Sequence, residues 1–233
     1  MKNFQQEDQD VLHKESGILT ATLQRRSFLQ YAGAGAAGIA LIAAGCKKDK
    51  NDNNGVNLGS GDIGILNYAY ALEQLEAAFY DAVVKTPYSG ISQTELGLLT
   101  DIRDHELAHR EFFKKALSSS AIPGLEVNFS SIDFSSRASV LGTAKAFEDL
   151  GVSAYNGAGK LIKSADYLVL AGKIVSVEAR HAALIRDLIE NGTFANMEVV
   201  DANGLDKART PSEVLSIAKA FIKTSINATN LPS

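Results

Sequence analysis

The sequence of 233 residues is poor in cysteine and has no excess of positive charge. Its single cysteine, Cys46, excludes an internal disulfide framework. The formal net charge is −4, and no cluster interleaves basic with aromatic residues, which argues against nucleic acid as the main partner. The composition is 45% hydrophobic and 21% charged, typical of a globular protein, and the length suits one domain plus an extension.

The N-terminal region also lacks an apolar run of the roughly 20 residues that a bilayer-spanning helix needs. Residues 31–45 are apolar and rich in glycine and alanine, but they form a shorter run. This run follows Arg25-Arg26 and ends at Ala43-Ala44-Gly45-Cys46. A basic region, a short apolar stretch and small residues before a processing point define an export signal.

Two features specify the type of signal. The twin arginine followed by Phe28-Leu29 resembles a twin-arginine export signal, and Ala-Ala-Gly-Cys resembles the lipobox of a bacterial lipoprotein. Residues 1–46 are therefore predicted to be a signal peptide. By this resemblance Cys46 is lipidated, becomes the mature N-terminus and anchors the protein on the periplasmic side of the membrane or in the cell envelope. An uncleaved transmembrane anchor and a buried helix are the alternatives.

The mature chain divides into three parts. Residues 47–61 are charged, rich in asparagine and glycine and without periodicity, which predicts a flexible tether. The folded domain is expected over residues 62–191. Residues 192–233 are expected to form a loop and a C-terminal helix.

A period of 3.6 residues runs through the chain from Asp62 onward. It predicts four long helices and one shorter helix, over residues 62–85, 92–118, 136–163, 165–191 and 210–226. Capping boxes at Ser92–Glu95 and Thr210–Glu213 mark two of the starts, and Gly192 suits the end of the fourth helix.

The lengths of the links predict how these helices are arranged. Short links join the first helix to the second and the third to the fourth, so each pair should form an antiparallel hairpin. The link between the second and third helices has about 17 residues. At roughly 3.3 Å per residue it is long enough to return along a helix of about 39 Å. The expected fold is all-α, an antiparallel four-helix bundle with a long crossover and an additional C-terminal helix.

One pattern of chemically active residues occurs twice. A Glu-x6-Tyr helix is followed by a Glu-x-x-His helix, first as Glu73, Tyr80, Glu106 and His109 and then as Glu148, Tyr155, Glu178 and His181. All four glutamates lie near the middle of a helix on its apolar stripe, where an unpaired carboxylate is costly. Two divalent cations would balance four carboxylates and leave both imidazoles neutral. Residues i and i+3 share a helix face, so the Glu and His of each Glu-x-x-His can reach one ion.

This arrangement resembles the ferritin, bacterioferritin and rubrerythrin superfamily over about residues 62–191. The exported form resembles bacterial ferritin-like domain proteins. The resemblance implies that Glu73 and Glu148 are terminal metal ligands and that Glu106 and Glu178 bridge two ions. It also implies that His109 and His181 each bind one ion. Tyr80 and Tyr155 would hydrogen-bond to the ligands and take part in the chemistry, with ordinary core packing as the alternative.

Three further residues are set aside. Glu76 and His105 lie about 100° or more from the apolar stripes of their helices and are expected at the surface. His13 lies in the predicted leader and is no candidate.

The ligand types limit which metals are suitable but do not identify one. Oxygen and nitrogen ligands without thiolate suit iron or manganese and do not exclude zinc, with iron the first expectation. The resemblance implies a di-iron oxidase or peroxidase that reacts with O₂ or peroxide, and a dimanganese catalase-like centre is a neighbouring possibility. An iron-storage cage fits the tether and the extra helix less well. No Cys-x-x-Cys pair is present for a rubredoxin-type module.

The alternative from another class is a non-enzymatic envelope protein whose metals stabilise the bundle or are absent. The sequence does not decide the oligomeric state, and a homodimer is one option.

Overall fold

The computed structural model describes residues 55–233, so the predicted signal peptide and residues 47–54 of the predicted tether lie outside the described residues. Five α-helices account for most of this part of the chain. They are α1 (Gly61–Lys85), α2 (Gln93–Leu117), α3 (Arg137–Gly159), α4 (Ala165–Ile189) and α5 (Pro211–Ala218). A 3₁₀ turn (Ser118–Ser120) follows α2, and two short strands, β1 (Val56–Asn57) and β2 (Ile226–Asn227), pair in parallel.

The four long helices pack as two hairpins, α1 on α2 and α3 on α4, and α1 also contacts α3. The short α5 packs on α3. The predicted four-helix bundle with a crossover and a fifth helix is thereby confirmed. Within the described residues, no helix is both long and apolar enough to cross a membrane.

The C-terminal helix is shorter than the periodicity predicted. It starts at Pro211 with a complete capping box between Thr210 and Glu213, but it ends at Ala218 instead of near residue 226. The residues beyond it are used for strand pairing: Ile226 pairs with Val56, and Ile222 forms a bridge with Val127 of the crossover. Partners distant in sequence therefore override the local helical pattern.

The third helix also ends earlier than predicted, at Gly159 instead of residue 163. The carboxylate of Asp62, at the start of α1, accepts hydrogen bonds from the backbone N–H groups of Lys163 (2.8 Å) and Ser164 (2.9 Å). This contact holds the link between α3 and α4 as a loop against α1.

The crossover between α2 and α3 is held along α1 by two buried amide side chains. The Asn67 amide donates to the Ser120 carbonyl and accepts from Ile122 N–H, and the Gln74 side chain accepts from Leu125 N–H at 2.8 Å. These bonds satisfy backbone groups that would otherwise lie unpaired in the interior. Because the crossover lies over α1 on one side and the other helices cover the rest, nearly every residue of α1 from Gly64 to Tyr80 is buried.

Candidate metal centre

The six residues predicted as metal ligands come together in the middle of the bundle. Each of the four long helices contributes one glutamate, and α2 and α4 also contribute a histidine. The four glutamates Glu73, Glu106, Glu148 and Glu178 are all 0% exposed. His181 is buried as well, and His109 retains slight exposure.

The ligand atoms of these residues form two groups that share two members. One group is Glu73, Glu106, His109 and Glu178, and the other is Glu106, Glu148, Glu178 and His181. Within each group the ligand atoms lie within 4.8 Å of one another, which is the spacing of atoms that could hold one metal ion. Glu106 and Glu178 belong to both groups, and this is the placement that a bridging carboxylate requires.

The two groups have matching geometry. Nδ1 of His109 lies 2.9 Å from Glu178 Oε1, 3.5 Å from Glu73 Oε2 and 3.8 Å from Glu106 Oε2. Nδ1 of His181 has the same three distances, to one oxygen each of Glu106, Glu148 and Glu178. Each shared glutamate turns one oxygen toward each histidine. The sequence repeat therefore appears in space as a two-fold arrangement of donor atoms.

Each tyrosine of the repeated pattern hydrogen-bonds to the glutamate of the other half. Tyr80 on α1 donates to Glu148 Oε1 on α3 at 2.5 Å, and Tyr155 on α3 donates to Glu73 Oε1 on α1. Burial and the adjacent glutamates raise the pKa of both phenols well above the usual value, so both are neutral donors. Each bond occupies one oxygen of a terminal glutamate and leaves the other oxygen directed into the centre.

The centre contains many buried nitrogen and oxygen atoms that could bind a metal ion and that form no hydrogen bond. Nine buried side-chain nitrogen and oxygen atoms of the described residues lack a hydrogen-bond partner, and eight of them belong to the six predicted ligands. They are one oxygen each of Glu73 and Glu148, both oxygens of Glu106 and Glu178, and Nδ1 of both histidines. Nδ1 of each histidine lies close to a shared glutamate, but none of the eight atoms forms a hydrogen bond, and a buried polar atom without one costs roughly 1–3 kcal/mol. Two cations with four protein donors each would satisfy all eight atoms, so the residues present fit a dinuclear site.

The local electrostatics favour cations in the same place. Burial raises the pKa of Glu73 to about 7. Burial and the neighbouring Glu106 and Glu73 raise the pKa of Glu178 well above its usual value. Glu106 differs, because its contacts with the two histidines outweigh burial and lower its pKa to about 2.

In the two imidazoles, burial and the neighbouring carboxylates shift the pKa in opposite directions. Burial disfavours their charged form, but the surrounding carboxylates prevail and raise the pKa of His109 to about 12 and that of His181 to about 10. Without an ion, protons on the histidines therefore balance part of the negative charge at neutral pH. A metal that binds here must displace those protons.

The expectation that Glu76 lies at the surface is wrong. Glu76 is 3% exposed, and burial together with the four glutamates of the centre raises the pKa of its carboxyl well above the usual value. The expectation assumed that α1 has a solvent face, whereas the crossover and the other helices cover α1 on every side. The sequence of α1 already indicated that Glu76 is buried, because α1 is apolar on nearly all sides and such a helix is usually buried.

His105 is exposed, as expected, but its ring reaches the centre. His105 Nδ1 lies 2.9 Å from His181 Nε2, and the two ring planes differ by 7°. The spacing rules used for the sequence consider one helix at a time, so they do not find a contact between α2 and α4.

A small apolar cavity lies between the helices next to the centre. It has a volume of about 20 Å³, and its walls include Tyr68, Leu72, Phe113 and Tyr155. The ring of Tyr155 thus lines the cavity while its hydroxyl contacts Glu73. A cavity of this size holds one small molecule, and the apolar walls favour an uncharged one.

Comparison with known protein families gives one result. A family model described as a ferritin-like domain matches residues 61–191, which is more than half of the chain and includes all six predicted ligands. Comparison with curated proteins gives no match.

Proposed function

Because the chain belongs to the ferritin-like domain family, we propose that its buried centre holds two metal ions and that the protein is an oxidoreductase acting on O₂ or peroxide. The observation that carries this proposal is the convergence of eight buried donor atoms that lack hydrogen bonds. Iron is the first candidate and manganese the second, because oxygen and nitrogen donors without thiolate suit both metals.

When bound in the divalent state, the two ions would supply Lewis acidity and two electrons, enough to reduce O₂ to peroxide or peroxide to water once, and an external reductant would return them to the divalent state. The chain positions the donors and excludes bulk water. Glu106 and Glu178 present one oxygen to each half of the centre, while Tyr80 and Tyr155 hold Glu148 and Glu73 in place.

The number of protein donors supports reactivity in addition to binding. Four protein donors per ion are fewer than iron or manganese accepts, which leaves room for an external oxygen-containing ligand. The apolar cavity gives a small uncharged molecule a place beside the ring of Tyr155, whose hydroxyl contacts Glu73.

Metal analysis tests the binding part of the proposal. The purified protein, reconstituted separately with Fe(II) and with Mn(II), should hold two ions per chain. Glu106→Ala and Glu178→Ala each remove a carboxylate shared by both groups and should lose at least one ion. Glu126→Ala, which changes an exposed glutamate paired with Lys223, is the matched control and should retain both ions. Less than one ion per chain in the unchanged protein with both metals would refute the dinuclear centre.

A second experiment tests the reaction. The Fe(II)-loaded protein is mixed with O₂ or hydrogen peroxide, and the absorbance is followed against free Fe(II) and against Glu178→Ala. Turnover faster than that of the free metal supports the oxidoreductase. If the rate equals that of the free metal, the ions only stabilise the bundle and the protein is a non-enzymatic envelope component.

We also propose export by the twin-arginine route, followed by lipid anchoring at Cys46. The support is the order of Arg25-Arg26, the apolar run and Ala43-Ala44-Gly45-Cys46. Replacing Arg25-Arg26 with Lys-Lys should leave the precursor in the cytoplasm, as fractionation would show. Cys46→Ser should abolish incorporation of labelled lipid. Normal export of the Lys-Lys variant would count against this route.

A further inference from the structure

The chain enters the folded domain at one particular end of the bundle. Asp62, at the start of α1, binds the backbone of the link between α3 and α4, and Asn67 of α1 binds the Ser120 carbonyl just after α2. This end therefore contains the starts of α1 and α4 and the ends of α2 and α3. Because β1 leads directly into α1, the chain that precedes the domain arrives here. We call it the tether end.

The tether end exposes four lysines that have no acidic partner. Two lie in the last turn of α2, and two lie at and just beyond the end of α3: Lys114, Lys115, Lys160 and Lys163. Within residues 55–233, none of these four side chains forms an ion pair. Four cations toward the opposite end differ, because each is paired with a carboxylate: Lys85, Arg137, Lys145 and Arg186.

Few carboxylates offset the lysines of the tether end. The first and last helical turns at this end contain two acidic residues, Asp62 and Asp166, and Asp62 already accepts two backbone hydrogen bonds. Acidic residues instead collect at the end of α4 and in the loop that follows it: Glu190, Glu198, Asp201 and Asp206. Although the whole chain carries −4, the tether end thus has an excess of positive charge.

The helix dipole does not account for all of these lysines. A lysine in the last turn of a helix interacts favourably with the carbonyl groups there, which applies to Lys114 and Lys115. Lys163 lies beyond the end of α3, in the loop before α4. A charged surface shared by two helix ends and a loop indicates a partner outside the domain.

Two apolar side chains are exposed on the same end. Leu168 and Val169, near the start of α4, are 46% and 58% exposed. The Leu168 side chain lies over the end of α3, since a Cβ added to Gly159 would be 3.7 Å from Leu168 Cδ1. Lysines beside exposed apolar residues suit a surface of anionic lipid, where the lysines contact headgroups and the apolar groups enter the interfacial region.

The chain before the domain identifies the lipid surface. Residues 47–54 separate the proposed lipid anchor at Cys46 from Gly55. Even fully extended, this stretch spans only about 30 Å. The tether end is therefore the part of the domain that the anchor holds closest to the membrane.

We propose that the tether end is a membrane-docking surface, which lies on the anionic headgroups of the membrane that carries the Cys46 anchor. The four lysines contact the headgroup phosphates, and Leu168 and Val169 enter the interfacial region. The lipid keeps the chain at the membrane, and the docking surface sets its orientation, with the acidic loop after α4 directed away. The choice of a membrane as partner rests on the anchoring proposed above.

Vesicle binding without the lipid anchor tests the surface directly. The chain from residue 47 onward keeps the whole of the compact unit formed by residues 52–233 and lacks Cys46. It should sediment with phosphatidylcholine vesicles that contain about one-third phosphatidylglycerol, and not with phosphatidylcholine alone. Binding should weaken as salt is raised, because salt screens the exposed lysines. Equal binding to both vesicles, or binding to neither, would overturn the proposal.

Charge-matched variants locate the surface. Lys114→Gln with Lys115→Gln, and Lys160→Gln with Lys163→Gln, should each weaken binding by about 10- to 30-fold, since one lysine near an anionic surface contributes a factor of about five. The control, Lys85→Gln with Lys145→Gln, removes the same net charge toward the opposite end and should leave binding nearly unchanged. Equal loss in the control would mean that net charge drives binding, and the proposed surface would be wrong.

A dye at a single cysteine reports the orientation. The chain from residue 47 has no cysteine of its own, so Val169→Cys and Met197→Cys can each carry one environment-sensitive fluorophore. Val169 belongs to the tether end, whereas Met197, 82% exposed, lies in the loop after α4. Anionic vesicles should shift the emission at residue 169 toward that of an apolar environment and leave the emission at residue 197 unchanged. Any other pattern would contradict the proposed orientation.

These experiments separate docking from anchoring. If Cys46→Ser incorporates as much labelled lipid as the unchanged protein, the proposed anchor fails, and vesicle binding by the chain from residue 47 still decides the docking surface. If Cys46 is lipidated but the unlipidated chain does not bind anionic vesicles, only the docking surface fails.

Discussion

At the scale of single residues, the centre depends on side chains that bind across the bundle. Tyr80 contacts the glutamate on α3, and Tyr155 contacts the glutamate on α1. Each terminal carboxylate is thus oriented by the opposite half of the repeat. Each half contains a terminal glutamate but not the tyrosine that orients it. Neither half can therefore form a complete centre by itself.

The effect of these bonds can be measured with Tyr80→Phe and Tyr155→Phe. Each change leaves one more buried carboxylate oxygen without a donor, which should lower the free energy of unfolding of the metal-free protein by about 1–3 kcal/mol. Because the glutamate also loses its fixed orientation, metal affinity should fall by about 10- to 100-fold. Chemical denaturation and chelator competition measure the two effects.

Tyr88→Phe is the matched control for this pair. Tyr88 is also buried and donates to a glutamate, but its partner is Glu95 at the start of α2, outside the centre. It should keep its metal affinity and lose less stability, because Arg137 also donates to Glu95 Oε1. Equal metal affinity in all three variants would mean that the tyrosines do not position the ligands.

Protonation of the ligand histidines predicts how metal affinity depends on pH. The pKa values of His109 and His181 are raised to about 12 and about 10, so in the metal-free protein both are protonated at neutral pH. An ion must displace these protons, and their release becomes more favourable as the pH rises and the proton concentration falls. Affinity should therefore increase with pH, by up to about tenfold per unit for each proton released.

Chelator competition at pH 6, 7 and 8 measures this dependence, and proton release on binding can be followed directly in weak buffer. The control is the chelator's own pH dependence, measured without protein. An affinity that stays constant over this range would contradict the protonated state of the histidines.

At the scale of the elements, α1 organises the molecule because it is covered on all sides. Its buried amides Asn67 and Gln74 hold the crossover, and its buried Glu73 is one of the ligand residues of the centre. On α3, a second contact fixes the loop before α5: Arg209 N–H donates to the Ser153 carbonyl at 2.9 Å. Gly157 allows this close approach, since a Cβ there would lie 1.7 Å from the Arg209 carbonyl oxygen.

Gly157→Ala should therefore destabilise the protein. The added methyl group meets backbone, which cannot turn away as a side chain can, so the loop must move and lose its bond to Ser153. The expected loss is about 1–3 kcal/mol in the free energy of unfolding, measured by denaturation.

Gly142→Ala on the same helix is the control. No atom lies within 4 Å of the added Cβ, so the change should stabilise α3 by about 0.5–1 kcal/mol through helix propensity. If both variants gained stability, the close packing of residues 157 and 209 would be disproved.

At the scale of the whole molecule, the centre couples metal binding to stability. All four long helices contribute donors, so an ion binds the folded bundle and not the unfolded chain. At about 100 times the dissociation constant, one ion should stabilise the fold by about 2.7 kcal/mol. For a chain of this size the melting temperature should rise by about 5–10 °C per ion.

Thermal unfolding with increasing Mn(II) measures this shift. Glu106→Ala and Glu178→Ala should show a smaller increase, since each loses a carboxylate common to both groups. A melting temperature unaffected by Mn(II) or Fe(II) at any concentration would be evidence against a metal centre that joins the helices.

The sequence predicted much of the fold because helix periodicity is a local property. The four long helices begin close to their predicted positions, and the long link between α2 and α3 indicated the crossover. The errors are at ends where distant partners compete with helix formation. Asp62 holds the loop after α3, and Val56 of β1 pairs with Ile226, which had been assigned to the last helix.

The sequence by itself determined the composition of the centre. Glu-x6-Tyr and Glu-x-x-His each occur twice on apolar helix faces, and the spacing of residues along one helix is enough to show this. Only the tertiary structure decided which side chains meet between helices. It buried Glu76 against Gly151, placed His105 on His181 and crossed the two Tyr–Glu bonds. The physical reason is that helix periodicity gives the direction of a side chain from its own axis, whereas contacts depend on how the axes pack.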